Sequence, residues 1–359
     1  EKAVELNRNM GLKDLEAVGL MNIGTVYLEW GHYEKAVSYI EQSRDLNLEL
    51  GNRGQLTTTY SNLGLVYTHQ KKYQKAIEVY QKAIELSESS GQLDQASTQY
   101  NNMGHVLSEL GHIEQAKVLF EKAMIIDKKL NRQGSYATTL NNLGNILVNQ
   151  GQFEEGVEYF KKSLSINRNI NRQPELARDF HNIGVAHYFD NKLKNSIPNL
   201  IESIEIKESL RNTATGAVRR EYLESQITTY QYLISAYINE QDVEKAFHIS
   251  ELSRSKLLAE NLSIEKQDIR IPNLKDIQSA LPEDTLVIMY ANSSEEFPNL
   301  VQIAISNNGS VGKEISKHKI LSALEGKFKK QINDFSLSQR GIKLTKKRKK
   351  GSSKDRAKN

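Results

Sequence analysis

The sequence predicts a mainly α protein: a right-handed superhelix, an α-solenoid of helix-turn-helix repeats, followed by a small, incomplete α/β segment and a disordered basic tail. Three observations carry that prediction. One phrase returns every forty residues, as in MNIGTVYLEWGHYEKAVSYI (21–40), SNLGLVYTHQKKYQKAIEVY (61–80) and NNMGHVLSELGHIEQAKVLF (101–120). Only five prolines occur in 359 residues, which suits long helices, because proline removes a backbone donor and clashes with the preceding turn. Near residue 270 the texture changes, and LPEDTLVIMYA (281–291) and NLVQIAIS (299–306) bring apolar runs bounded by turn residues, the pattern of strands.

The elements follow in chain order. EKAVELNRNMG (1–11) aligns with EQSRDLNLELG (41–51), so residues 1–10 read as the second helix of an incomplete repeat, and the chain as a piece of a longer protein. Five repeats are expected over 11–50, 51–90, 91–130, 131–170 and 171–211. Within them, Gly24, Gly64, Gly104, Gly144 and Gly184 recur at intervals of forty, each preceded at two residues by Asn22, Asn62, Asn102, Asn142 or Asn182. Twelve residues after each glycine stands a small residue: Ala36, Ala76, Ala116, Gly156 and Ser196. Four further on comes a large one, Ile40, Tyr80, Phe120, Phe160 or Leu200, and three beyond that Ser43, Ala83, Ala123, Ser163 or Ser203. Steps of three and four fall on one helical face.

Breakers separate the faces. Trp30-Gly31-His32, Lys71-Lys72, Leu110-Gly111-His112 and Gln150-Gly151-Gln152 divide each unit, and Gly51, Gly91, Asn131 and Asn171 close it. Glycine and asparagine tolerate the left-handed conformation that ends helices. A glycine in mid-helix costs about 1 kcal/mol against alanine, so its recurrence implies a neighbouring helix too close for a side chain. A sixth, degenerate repeat with its linker helix is expected over 221–262, after a lengthening around Asn212–Arg220. Tyr230, Leu233, Tyr237, Ala246 and Ser253 keep the spacing there, and Ile234 replaces the glycine.

Beyond it, 270–335 forms the α/β segment: two strands paired through a long loop, a turn at Asn307-Asn308-Gly309, and an amphipathic helix in KILSALEGKFKKQI (319–332). The tail, 340–359, has no apolar periodicity. From Arg340 onward it carries ten Lys or Arg and one Asp, a charge of +9 that leaves −5 on the other 339 residues.

The repeat resembles the tetratricopeptide repeat (TPR), in the forty-residue variety of kinesin light chains and Pins-like adaptors. Tyr60, Leu63, Gly64 and Tyr67, with Ala76, Tyr80 and Ala83 following, carry the likeness. It implies a TPR superhelix whose first helices line a concave groove, and a protein-protein interaction scaffold that binds a peptide or protein partner there without catalysis. In that family the position of Asn22, Asn62, Asn102, Asn142 and Asn182 faces the groove. A carboxamide offers a donor and an acceptor, so a ladder of them can hold an extended backbone without reading its side chains. Helical spacing adds Asn101, His105, Asn141, Asn145, Arg178 and His181 to the lining. The mix is polar and nearly neutral, unlike the lysine-rich clamps some relatives use for C-terminal carboxylates, and an internal segment or a folded partner is the expected ligand. The alternative is structural: each asparagine bonds its neighbouring repeat and only sets the superhelix.

The junction AFHISELSRSKLLAENL (246–262), with Glu251, Arg254, Leu257 and Leu258, and then Leu281, Pro282, Thr285 and Tyr290, resembles the entry to a CHAT domain, a caspase-like module, over about 246–332. That likeness implies a second reading: the regulatory or sensor part of a CHAT-family cysteine protease. The His-Gly and Cys of the proteolytic dyad are absent from this chain, which has no cysteine. A thiolate nucleophile, thiolate metal sites and disulfides are thereby excluded here, and the chain is expected not to be an enzyme.

No cofactor and no metal are expected: the eight histidines show no ligand spacing such as HExxH, and no glycine-rich phosphate loop follows a strand. No run of eighteen apolar residues occurs, so no membrane insertion is expected. A sensor ahead of a membrane histidine kinase would need such a run after the repeats. With no signal-peptide pattern the expected location is cytoplasmic. The KKRKK core of the tail can attract nucleic acid through charge alone, but it has no aromatic side chain to stack on bases. Nucleic acid is therefore not the expected partner, and is reachable only through the tail.

Overall fold

A computed structural model describes residues 2–213, 216–262, 274–275, 279, 285–291, 299–306, 309–316 and 343–346. The helices are α1 (Lys2–Asn9), α2 (Lys13–Glu29), α3 (Tyr33–Glu49), α4 (Arg53–His69), α5 (Tyr73–Ser89), α6 (Leu93–Glu109), α7 (Ile113–Lys129), α8 (Gln133–Asn149), α9 (Phe153–Asn169), α10 (Gln173–Phe189), α11 (Leu193–Thr213), α12 (Gly216–Asn239) and α13 (Val243–Leu262). The strands are β1 (Thr285–Ala291), β2 (Asn299–Ser306), β3 (Gly309–Ser316) and β4 (Lys343–Lys346). The chain divides into two compact units, Glu1–Asn182 and Ile183–Asn359.

In the first unit, α2 to α9 are each seventeen residues long. They pack as hairpins, α2 on α3, α4 on α5, α6 on α7 and α8 on α9, and each hairpin packs on the next through α3–α4, α5–α6 and α7–α8. The turns explain the regular length. At every one the chain enters the left-handed region, at Gly11, Gly31, Gly51, Lys71, Gly91, Gly111, Asn131, Gly151 and Asn171. Gly31 N–H donates to the Leu28 carbonyl at 2.9 Å and His32 N–H to the Tyr27 carbonyl at 2.9 Å. This paired closure satisfies two carbonyls at the helix end. It recurs from turn to turn, for instance Asn131 to Lys128 and Arg132 to Asp127. Lys71 does the same work in repeat 2 at φ 57°.

The small-for-large pattern is the packing itself. A Cβ on Gly104 would lie 2.8 Å from the Phe120 ring, and one on Gly144 2.6 Å from the Phe160 ring. Phe120 and Phe160 are fully buried, as are Ile40 and Tyr80, and burying a ring of that size contributes roughly 1.5–3 kcal/mol. Burial pushes the Tyr80 hydroxyl up to about 12, against a hydrogen bond with Thr68 that lowers it. Alanine, serine or glycine opposite each large side chain lets the helices approach. Gly156 goes furthest, since a Cβ there would meet the Gly144 carbonyl at 2.9 Å. The expected second helix at the start is α1, and Val4 packs over Gly19 of α2.

The second unit continues the helices. Leu200 closes over Gly184, and the Ser196 hydroxyl donates to the Gly184 carbonyl at 2.7 Å. The lengthening read around 212–220 is taken up largely as helix: α11 runs 21 residues and α12 24. Leu200, Ile204, Tyr230, Leu233, Ile234, Tyr237, Ala246 and Phe247 form the unit's core. The four strands form one antiparallel sheet in the order β3-β2-β1-β4. The expected β1–β2 pair is present, with Met289 opposite Ile303. Two strands go beyond the sequence reading. Gly309, expected in a turn, begins β3, paired with Ser306 so that two residues join the strands, the loop length of a tight hairpin. Lys343–Lys346, assigned from composition to a tail without regular structure, form β4 against β1. The helix expected over 319–332 and the rest of the tail lie outside the described residues.

Candidate functional site

The first helices α2, α4, α6 and α8 touch one another in order along one side of the first unit, and α10 supplies Asn182 at that unit's end. The five asparagines sit at equivalent turns of these helices. Asn62 Nδ2 donates to Met21 Sδ at 3.1 Å, Asn142 Nδ2 to Asn101 Oδ1 at 3.0 Å and Asn182 Nδ2 to Asn141 Oδ1 at 3.1 Å. In each case the acceptor lies forty-one residues earlier, on the preceding first helix. The residue at that offset from Asn102 is Ser61, and Asn102 makes no hydrogen bond among the described residues. Asn22 is exposed, and Asn62, Asn102, Asn142 and Asn182 are half-buried. At three rungs, then, the amide bonds the preceding first helix. Each amide still keeps an Oδ1 that accepts nothing among the described residues.

The residues added by helical spacing separate into two groups. His105 and Arg178 are exposed, and Asn101, Asn145 and His181 are half-buried. Asn101 Oδ1 also accepts from Thr139 Oγ1 at 3.2 Å. Asn141, expected on the groove surface, is 1% exposed. Its Oδ1 accepts from Asn182 and, at 3.3 Å, from Asn145, while its Nδ2 donates to Asp179 Oδ1 at 2.6 Å. One residue along a helix is a rotation of about 100°, enough to turn it from the half-buried face of Asn142 into the interface.

Asp179 is the group the sequence reading missed. It is fully buried and accepts from Asn141, from Ser163 Oγ at 2.9 and 3.0 Å, and from Asn167 Nδ2 at 2.7 Å. One carboxylate thereby ties α8, α9 and α10. Burial raises its pKa, against the lowering by those hydrogen bonds. A second buried acid, Asp127, accepts from Ser97 Oγ at 2.7 Å and lies 3.2 Å from Arg132 Nη1. Its pKa is likewise raised by burial, against Ser97 and Arg132. A signal for Asp179 did exist. Its equivalents one, two and three repeats back are Thr139, Gln99 and Thr59, all buried, so an acid in that slot stands out.

The first helices thus carry amide donors and acceptors in register. Among the described residues no group of three or more His, Cys, Asp or Glu is placed to hold a metal, and no helix is long and apolar enough to cross a membrane.

A family model described as tetratricopeptide repeat matches residues 55–129 and 135–209, and a second of the same description matches 17–48. No curated protein matches the sequence. Solved structures similar to the chain include BtubC (BKLC) from P. vanneervenii, at 19% identity, TM-score 0.52, covering 60% of this chain and 91% of that one. Aspartyl phosphate phosphatase F from Bacillus subtilis is similar at 16% identity and TM-score 0.53, over 75% of this chain and 76% of its own. A signal transduction ATPase (STAND) protein with a tetratricopeptide repeat sensor from Pyrococcus horikoshii shows 13% identity and TM-score 0.54, over 71% of this chain and 39% of its own. At these identities the likeness is one of fold.

Proposed function

The chain belongs to the tetratricopeptide-repeat family, matched over 17–48, 55–129 and 135–209, and from that premise we propose that it is a non-catalytic, cytoplasmic scaffold gripping an extended segment of a partner protein along its first helices. The observation that supports this is the orientation of the rungs. At Asn62, Asn142 and Asn182 one N–H is held by the preceding helix. The remaining N–H and Oδ1 are therefore presented in fixed geometry, and little rotamer entropy is lost on binding. Packed helices stand about 8–10 Å apart and an extended chain rises about 3.3 Å per residue. Successive rungs then meet a peptide backbone at roughly every third residue. His105, Arg178, His181, Asn101 and Asn145 supply the polar surroundings, and Asn141 acts from behind by holding Asn182.

Asn102 and Asn22 give the cleanest test, because neither is bonded to another repeat among the described residues. Peptides selected against the full chain from a displayed random library are expected to lose about tenfold in affinity for Asn102→Ala and Asn22→Ala, with the melting temperature unchanged. Unaltered affinity in both variants overturns the ladder.

A second reading is the regulatory part of a CHAT-family cysteine protease whose catalytic half lies outside this chain. It is favoured by the antiparallel β1–β2 pair standing after the helices, where Leu281, Pro282, Thr285 and Tyr290 carry that resemblance. Reading the gene downstream of codon 359 in every frame tests it: a His-Gly followed by a Cys supports it, and neither in any frame removes it.

A further inference from the structure

Three departures from the repeat meet at one place in the second unit. Phe189 stands where earlier repeats have Glu29, His69, Glu109 and Asn149, and Tyr188 where they have Leu28, Thr68, Ser108 and Val148. In the degenerate sixth repeat, the alignment of Tyr230, Leu233 and Tyr237 with Tyr60, Leu63 and Tyr67 puts Tyr232 in the asparagine slot. The three rings contact one another pairwise. Tyr188 and Phe189 meet at 5.6 Å and 77°, Tyr188 and Tyr232 at 5.4 Å and 67°, and Phe189 and Tyr232 at 5.9 Å and 75°. Edge-to-face contacts of this kind fix ring orientation. Yet the set does not close over Phe189, which is 53% exposed while Tyr232 is 6% exposed. An interior aromatic needs no open face, and a solvated position in the earlier repeats takes a polar residue.

We propose that Tyr188, Phe189 and Tyr232 form a subsite for a bulky apolar side chain, aromatic or branched aliphatic, carried by an extended polypeptide. The inference rests on the scaffold reading and adds what the partner must contain. Two local facts select an apolar occupant over a charged one. The Tyr188 hydroxyl is engaged with Ser235 Oγ at 2.9 Å, so it is not aimed at a ligand carboxylate. The neighbouring acid, Asp190, is paired with Lys192 Nζ at 2.8 Å. A ligand lysine or arginine over the Phe189 ring therefore finds a carboxylate already neutralised and an ammonium beside it. What remains is a shelf of ring face and edge, stiffened by its own packing. Such a shelf gains most from excluding water against a second apolar group.

The test uses the full chain and the same displayed library. Peptides selected on the wild type are expected to share an aromatic or branched aliphatic residue at one fixed position. Substituting that residue by alanine, or making Phe189→Glu in the protein, is expected to weaken binding at least tenfold. Glu29 and Glu109 already occupy that slot in other repeats, so the variant is expected to keep the wild-type melting temperature. Phe189→Leu, which preserves the apolar surface, should restore most of the affinity and guards against a folding artefact. Titration with N-acetyl-phenylalanine amide should shift the ring resonances of Phe189 and Tyr188, and N-acetyl-lysine amide should not. Peptides that bind wild type and Phe189→Glu equally, while Asn102→Ala weakens them, overturn the subsite and leave the scaffold standing. A shared lysine or arginine at the fixed position also overturns it. No selectable peptide at all removes the scaffold reading and the subsite with it.

Discussion

The α3–α4 and α9–α10 interfaces start from the same residues and end in different chemistry. Ser43 and Asn47 on α3 are repeated as Ser163 and Asn167 on α9, at the same spacing, and all four are buried. The equivalent position on the following helix is Thr59 on α4 in the first case and Asp179 on α10 in the second. At the second interface Ser163 and Asn167 both donate across to the carboxylate. In the first case neither bonds α4: Ser43 Oγ donates to the Ala17 carbonyl of α2 at 2.8 Å, and Asn47 Nδ2 turns back onto the Ser43 carbonyl at 2.9 Å. Thr59 bonds its own helix, at the Gln55 carbonyl, and no other helix among the described residues. Asn47 Oδ1 is left buried with no partner. An identical Ser-Asn pair thus does or does not bond across to the following helix according to one residue there. The period of the repeat fixes where the slot is, and the facing residue fixes what the slot does.

The largest expected difference comes from removing the two facing residues. Asp179→Ala strands the donors of Asn141, Ser163 and Asn167, and buried unpaired donors cost about 1–3 kcal/mol each before water or relaxation compensates. A loss of about 3 kcal/mol or more in urea-induced unfolding is expected. Thr59→Ala removes one intrahelical bond and a methyl, with an expected loss of about 1 kcal/mol. Equal losses would break the contrast. The next contrast is the asparagine itself. Asn167→Leu leaves the carboxylate short of a donor and is expected to cost about 2 kcal/mol. Asn47→Leu removes a polar atom that has no partner and is expected to be neutral or slightly stabilising. A stabilised Asn167→Leu or a strongly destabilised Asn47→Leu sinks the assignment.

How much of this was legible follows from the range of each signal. The glycine opposite Phe120 and the left-handed Gly31 are local requirements, set within one hairpin, and forty-residue self-similarity exposes them. The same holds for the β1–β2 pair, where turn residues and apolar runs lie close in sequence. The repeat spacing puts Asn142 in register with the other asparagines, but its bond to Asn101 depends on how two successive first helices stack. Asn141 was misplaced by one helical step for the same reason. Asp179 needs three helices to be seen at once, and no spacing rule joins residues 141, 163, 167 and 179. β4 escaped because Lys343–Lys346 is charged and short. Its place is given by β1, and edge strands are commonly lysine-rich.

The smallest expected effect reads the same comparison through pH. Burial raises the Asp179 carboxyl above its ordinary value of 3.8, so the folded state holds that proton more tightly than the unfolded one. The sign follows from linkage: this group's contribution to stability is fully present below the unfolded value and declines as pH rises through the higher folded value. Asp179→Thr gives α10 the residue that α4 already has at Thr59, and it deletes that dependence while leaving Asp127, raised by burial in the same direction, in place. Subtracting the two unfolding curves at each pH therefore isolates Asp179. The stability of the wild type relative to the variant is expected to fall as pH climbs from about 4, and then to level off once the carboxyl has ionised. A flat difference means that the three donors fully offset the burial of the charge. A difference that grows with pH means that they more than offset it, and the α9–α10 carboxylate is then held as a preferred ion rather than as a tolerated one.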